Sequence, residues 1–207
     1  MSGWLSQFKL GRPGYEFLFS ANPESIDITE APVAAERRNL AGDLKRSVLK
    51  TSAPVVRIAS SYLTKGDRDT LASLVGVTDT FLSFQTRDDW AMLLEQNTPS
   101  TVSTVVIQNT SASRLAAALV AAGFSSSITI TGVFDNPSGT GTNYFTGGSY
   151  AAATRTVTLG TPLSGTTSPC YVSYTYTGWL MTIRQLHHVG KGGWVDRFQY
   201  DFELAGA

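Results

Sequence analysis

The sequence is poor in the residues on which reactive or crosslinked sites depend, with one cysteine and two histidines in 207 residues. A single cysteine cannot close a disulfide within the chain, so the fold must rest on a hydrophobic core, which a chain of this length can build. Charged residues make up 15% of the chain, well below the usual ~25%. Sixteen basic residues balance sixteen acidic ones, so no net charge favours binding to nucleic acid or to an anionic membrane.

Long apolar stretches are also missing. No run approaches the ~20 residues of a membrane-spanning helix, and residues 1–14 lack the continuous apolar core of a signal peptide. We therefore expect a protein that is made in a cytoplasm and either stays soluble there or leaves by a route that needs no signal.

The usual signatures of catalytic and metal sites are not found either. Asp88 and Asp89 are adjacent, as are His187 and His188, and adjacent residues of an extended chain point to opposite faces. Neither pair therefore forms a converging acid pair or a metal site. Cys170 opens an alternating apolar run and is expected to be a small buried residue. We expect no catalytic residue, no cofactor and no metal.

Serine, threonine, glycine and asparagine carry most of the polarity, which is typical of a protein built from strands and turns. Short alternating segments predict strands throughout, including residues 80–86 and 91–96 joined by a hairpin-like turn. A capping-box variant at Thr64 and Asp67 predicts a short helix ending near Gly76, and residues 114–123 favour a second. The fold class is therefore mainly β.

Two domains are expected from the spacing of these elements. Residues 1–110 and 177–207 would form a β-barrel or β-sandwich with one flanking short helix. Residues 111–176, with short strands and long turn-rich loops, would form an inserted or appended small β-sandwich-like domain.

The C-terminal segment shows the clearest strand pattern. From Trp194 to Leu204 aromatic and aliphatic residues alternate with polar ones, which predicts a strand with one face on a core. Glycines at 190, 192 and 193 would join it to residues 178–187 as a hairpin. The polar face carries three candidate subunit-interface residues, Arg197, Asp201 and Glu203.

A charged segment around Gly42 supplies the other candidate interface residues. It is predicted to be a hairpin or projecting loop, either simply solvated or acting as an arm that docks on a neighbouring subunit. Its candidate residues are Glu36, Arg37, Arg38, Asp43, Lys45 and Arg46.

The order of these features resembles the proteins that build bacteriophage tail tubes and their distal, baseplate-proximal rings. The resemblance rests on Tyr15-Glu16-Phe17-Leu18-Phe19, followed by Asn22-Pro23 and Ser25-Ile26-Asp27-Ile28. The resemblance also includes the charged arm-like segment, a β-barrel wall with one flanking helix, and the closing aromatic strand from Trp194 to Leu204. It implies a tail-tube type β-barrel, a homo-oligomeric ring of six copies, contacts with other tail and baseplate proteins, and a place in the virion after assembly in the host cytoplasm. DNA could pass through the channel without specific binding.

Two other functions stay open. Loop aromatics, namely Trp90, Tyr144, Phe145 and Tyr150, could form a sugar-binding platform, which would make the chain a carbohydrate-binding adhesin module. A glycan-cleaving enzyme would need an acid pair that the sequence does not reveal.

Overall fold

The computed structural model describes residues 9–18, 23–38, 44–60, 63–75, 77, 82–86, 89–108, 110–192 and 197–206. Within them the chain forms fifteen strands and two helices. In chain order these are β1 Lys9–Arg12, β2 Tyr15–Leu18, β3 Ser25–Arg38, β4 Leu44–Ala59, β5 Leu63–Thr64, α1 Lys65–Val75, β6 Leu82–Gln85, β7 Trp90–Asn97, β8 Pro99–Thr101, β9 Thr104–Val106, α2 Ser111–Ala121, β10 Ile128–Phe134, β11 Ser149–Ala151, β12 Thr156–Thr158, β13 Cys170–Tyr176, β14 Trp179–Gly192 and β15 Arg197–Gly206. The prediction of a mainly β chain is confirmed.

The chain divides into two compact units. One contains the described residues of Phe17–Leu82 and Met181–Ala207, and the other those of Gln7–Glu16 and Ser83–Leu180. The segment expected as an insertion, residues 111–176, lies inside the second unit, which also includes β7, β8 and β9.

The first unit is built on antiparallel strands in the order β14-β15-β4-β3, with β5 also paired to β15. The predicted C-terminal hairpin is present, because β14 pairs with β15 from Met181 opposite Gly206 to Gly192 opposite Arg197. Residues 193–196, its turn, lie outside the described residues.

One face of this sheet forms the core of the first unit. Val56 and Ile58 on β4 and Phe202 and Leu204 on β15 are all buried. They are cross-strand neighbours, since Phe202 pairs with Ile58 and Leu204 with Val56. Period-two alternation then directs the intervening polar residues to the opposite face, as the sequence pattern predicted.

Helix α1 begins at the predicted capping box. The backbone N–H of Asp67 donates to Thr64 Oγ1 at 3.2 Å, and that of Thr64 donates to Asp67 Oδ2 at 3.0 Å. Each side chain thus satisfies a backbone donor that the first helical turn leaves without a partner. Leu71 is the buried residue of the helix.

The second unit contains two small antiparallel sheets, in the orders β10-β13-β7 and β11-β12-β9-β8. Strand β1 pairs with β6 in the same unit. Its largest buried side chains include Tyr174, Tyr176 and Trp179. The ring of Tyr176 contacts those of Tyr174 and Trp179, at centroid distances of 6.0 and 5.7 Å. A buried aromatic cluster therefore holds this unit together.

Helix α2, also predicted, has ordered ends. Thr110 caps its N-terminus by accepting a hydrogen bond from the Ser113 N–H. At the other end Gly123 has φ +86°, and the N–H of Phe124 donates to the Leu119 carbonyl. This is a Schellman motif, for which glycine is the favoured residue at the left-handed position.

One expectation about strands is wrong. Residues 80–96 do not form a hairpin, because β6 pairs with β1 whereas β7 pairs with β13. The strand expected at 25–29 is longer than predicted and extends to Arg38, where it is paired with β4 as in the predicted hairpin. Residues 39–43, between the two strands, lie outside the described residues. Local turn residues indicated where strands end, but partners distant in sequence decided the pairing.

Candidate assembly surface

The outward face of the first unit's sheet carries a polar depression of about 380 Å³. It is lined mainly by side chains from β3, β4, β14 and β15. Its polar members are Ser25, Asp27, Arg57, Gln185, His187, Asp201 and Glu203. The sequence places polar residues here because each alternates with an apolar residue that faces the core.

Strand register arranges these side chains in two rows across the four strands. In one row Arg57 pairs with Asp27 on one side and with Glu203 on the other, and Gln185 pairs with Glu203. In the other row Ala59 lies between Ser25 and Asp201, and His187 pairs with Asp201. The small Ala59 leaves room at the centre of the second row.

Glu203 is the most engaged acid of the depression. Arg57 Nε lies 3.0 Å from its Oε2, and Arg184 Nη1 lies 3.4 Å from its Oε1. Both arginine side chains are more than 60% exposed, so each pair contributes at most about 1 kcal/mol to stability. Asp27 and Asp201 are exposed, and neither is in a salt bridge with a described residue. Two exposed carboxylates therefore line the depression.

A two-stranded ribbon extends from the same sheet. Strands β3 and β4 stay paired from Ser25 opposite Ala59 to Arg38 opposite Leu44, but β15 covers β4 only from Val55 to Ala59. Beyond Pro54, β4 therefore has β3 as its only partner among the described residues. Residues 31–38 and 44–53 make up this ribbon.

The described candidate interface residues fall at three separate places. Glu36, Arg37 and Arg38 lie on β3 at the end of the ribbon, opposite Lys45 and Arg46 on β4. Asp201 and Glu203 line the depression. Arg197 begins β15, opposite Gly192 and Thr64, and Asp43 lies outside the described residues.

Several residues of the depression were not predicted as site residues. Asp27 and Ser25 belong to a strand whose polar face is visible in the sequence Ser-Ile-Asp-Ile-Thr, so alternation could have found them. Gln185 and His187 join the depression only through the register of β14 with β15, which no local pattern reveals.

The two histidines take different positions. His187 lines the depression opposite Asp201, whereas the ring of His188 contacts that of Tyr200 at 5.2 Å between centroids. Among the described residues no group of three histidine, cysteine, aspartate or glutamate side chains is arranged to hold a metal ion.

The second unit contains a buried carboxylate that the sequence did not indicate. Glu95 is 3% exposed, and its two oxygens accept hydrogen bonds from the Gln108 N–H at 2.8 Å and from the Tyr174 hydroxyl at 2.5 Å. Burial raises the pKa of Glu95 above its ordinary value, although these hydrogen bonds oppose the shift. Glu95 thus ties β7 to β13 and to the segment that leads into α2.

The four aromatics considered for sugar binding are engaged within the second unit. Trp90 Nε1 donates to Thr86 Oγ1, and its ring contacts Trp179 at 5.2 Å between centroids. The Tyr144 hydroxyl donates to Asp135. Phe145 is half-buried, and burial raises the pKa of Tyr150 to about 12. None of the four presents an open, fully exposed ring.

Cys170 is buried, as predicted. Burial raises the pKa of its thiol to about 11, so at neutral pH the thiol stays protonated and unreactive.

No protein-family model, no curated protein and no solved structure matches this chain. Within the part of the chain that the structure describes, neither helix is long and apolar enough to cross a membrane. The functional argument therefore starts from the ribbon and the depression.

Proposed function

We propose that this chain is a structural subunit of a bacteriophage tail. It forms a ring at the distal tube or baseplate and connects the tail tube to the tip proteins. In this proposal six copies close the ring, the first unit is the tail-tube type wall, and the protein resides in the virion after assembly in the host cytoplasm. Its role is mechanical, without catalysis or a cofactor.

The observation that carries the proposal is the β3–β4 ribbon. An isolated two-stranded ribbon is marginally stable in water, because it lacks a third strand or a packed face. From Ala31 to Arg38 the ribbon spans about 25 Å at ~3.3 Å per residue. An element of this length that extends past its own sheet is suited to contact a neighbouring subunit.

The outward face of the sheet supports the same function. A mixed row of acids, bases and amides across four strands offers hydrogen-bonding and ionic groups to a flat partner surface, as polar interfaces in assemblies do. Exposed ion pairs of the Arg57–Glu203 kind add little to the stability of the subunit itself.

The first test is the mass of the purified chain by light scattering, with negative-stain microscopy of the species that form. Rings of about six copies, or tubes, are expected. A strict monomer at high concentration contradicts a self-assembling ring and favours the carbohydrate-binding module, for which a glycan array is the next measurement.

The ribbon itself is tested by shortening it. Residues 36–46 are replaced by Asn-Gly, because Ala35 and Ser47 are directly paired and a two-residue Asn-Gly turn suits such a hairpin. The shortened chain should keep its thermal unfolding midpoint within a few degrees and lose assembly. Unchanged assembly would reject the ribbon as an interface element.

A further inference from the structure

The end of the ribbon cannot reach the depression of its own chain. Asp27 and Arg37 lie on the same strand, ten residues apart, which corresponds to about 30 Å at ~3.3 Å per residue. Both positions are held in one antiparallel pairing with β4. Any contact between the two surfaces therefore joins different copies of the chain.

The ribbon end is basic in sequence. In the backbone register Arg37 is opposite Lys45, and Glu36 is opposite Arg46. The segment 36–46 carries four basic and two acidic residues, so an acidic surface has the complementary charge.

The depression has the complementary character. Asp27 and Asp201 are exposed there, and neither forms an ion pair with a described residue. They lie in adjacent rows of the same face, on β3 and β15. Two carboxylates on a rigid sheet can each accept a charge-assisted hydrogen bond from an arginine or lysine.

We propose that the basic end of the β3–β4 ribbon of one copy docks in the depression of the next copy, where Asp27 and Asp201 receive it. This inference rests on the proposed ring function and names its contact. The two surfaces differ, so the contact is head-to-tail, which is the kind of interface that generates closed rings or open filaments.

The test reverses charge on each surface in the full-length chain. The ribbon-reversed variant carries Arg37→Glu with Lys45→Glu, and the face-reversed variant carries Asp27→Lys with Asp201→Lys. Each variant alone should need at least about tenfold more protein than the unmodified chain to assemble, because both its surfaces then carry the same sign. A 1:1 mixture should assemble again, since each copy meets a complementary partner. Light scattering measures both, and thermal unfolding checks that each variant is folded.

A matched control separates docking from simple attraction between oppositely charged proteins. Asp69→Lys with Asp89→Lys makes the same change in net charge at two exposed positions that do not line the depression. This control should assemble alone and should not rescue the ribbon-reversed variant.

The outcomes distinguish the two proposals. If the unmodified chain assembles and the face-reversed variant assembles equally well, the docking site is wrong and the ring function stands. Failure of the 1:1 mixture to recover also overturns the docking. If the unmodified chain stays monomeric at every concentration, both proposals fail together.

Discussion

Gly178 is a position where the neighbouring backbone leaves almost no room for a side chain. It has φ +84°, and it connects β13 to β14. A Cβ at this position would overlap the carbonyl oxygen of Phe84 and lie 2.7 Å from Gln85 Cα. Both are backbone atoms of the same unit, so they cannot rotate away as the end of a flexible side chain could.

Gly123 provides a matched comparison for Gly178→Ala. It has nearly the same φ, +86°, but an added Cβ would meet no atom within 4 Å. Gly123→Ala should therefore lower the free energy of unfolding by only about 1–2 kcal/mol, which is the cost of placing alanine in the left-handed conformation. Gly178→Ala should add the cost of overpacking, a further ~1–3 kcal/mol. For a chain of this size each 1 kcal/mol lowers the unfolding midpoint by about 2–4 °C.

Urea unfolding followed by tryptophan fluorescence measures both changes. Two of the four tryptophans, Trp90 and Trp179, belong to the second unit, and Trp179 is 1% exposed. The emission change therefore includes the unfolding of this unit, which also contains Gly123. Equal losses in the two variants would show that the backbone of β6 yields freely. The close approach between Gly178 and β6 would then not constrain the unit.

Two further stability predictions concern single side chains. Burial raises the pKa of Glu95 in the folded state above its ordinary value of 4.5, so the folded state binds this proton more tightly than the unfolded state does. This proton's contribution to the free energy of unfolding is complete below pH 4.5 and is lost as the pH rises through the folded-state pKa. The free energy of unfolding of Glu95→Gln, relative to that of the unmodified chain, should therefore rise over this pH range and then become constant. Urea unfolding at a series of pH values measures this difference. A difference that does not change with pH would contradict the argument. Thr64→Ala should lower the free energy of unfolding by about 1 kcal/mol, because it removes the α1 cap. Thr70→Ala, in the exposed middle of α1, should leave the free energy of unfolding nearly unchanged. Thermal unfolding of both variants measures the difference.

The sequence predicted the elements whose signals are local. The capping box at Thr64 and Asp67, the glycine after α2 and the alternation of β15 each depend on residues within a few positions of one another. These features need no knowledge of the partner strand. They were confirmed for that reason.

The sequence did not predict which strands are neighbours. Turn residues between β6 and β7 favoured a hairpin, yet each strand pairs with an element far away in the chain. Glu95 could not be foreseen as buried, because its burial depends on Tyr174 and Gln108 reaching it across the second unit. Alternation marked Asp201 and Glu203 as polar, but only register brought Asp27 beside them.

The register of β3 with β4 places both opposite and like charges across from one another. Within the sheet Asp27 is opposite Arg57, which follows the preference for opposite charges across strands. At the ribbon end the register places Arg37 opposite Lys45 and Glu36 opposite Arg46. There β3 is the only described partner of β4. Because the segment 36–46 is basic overall, the carboxylates of the depression on another copy would offer it the opposite charge.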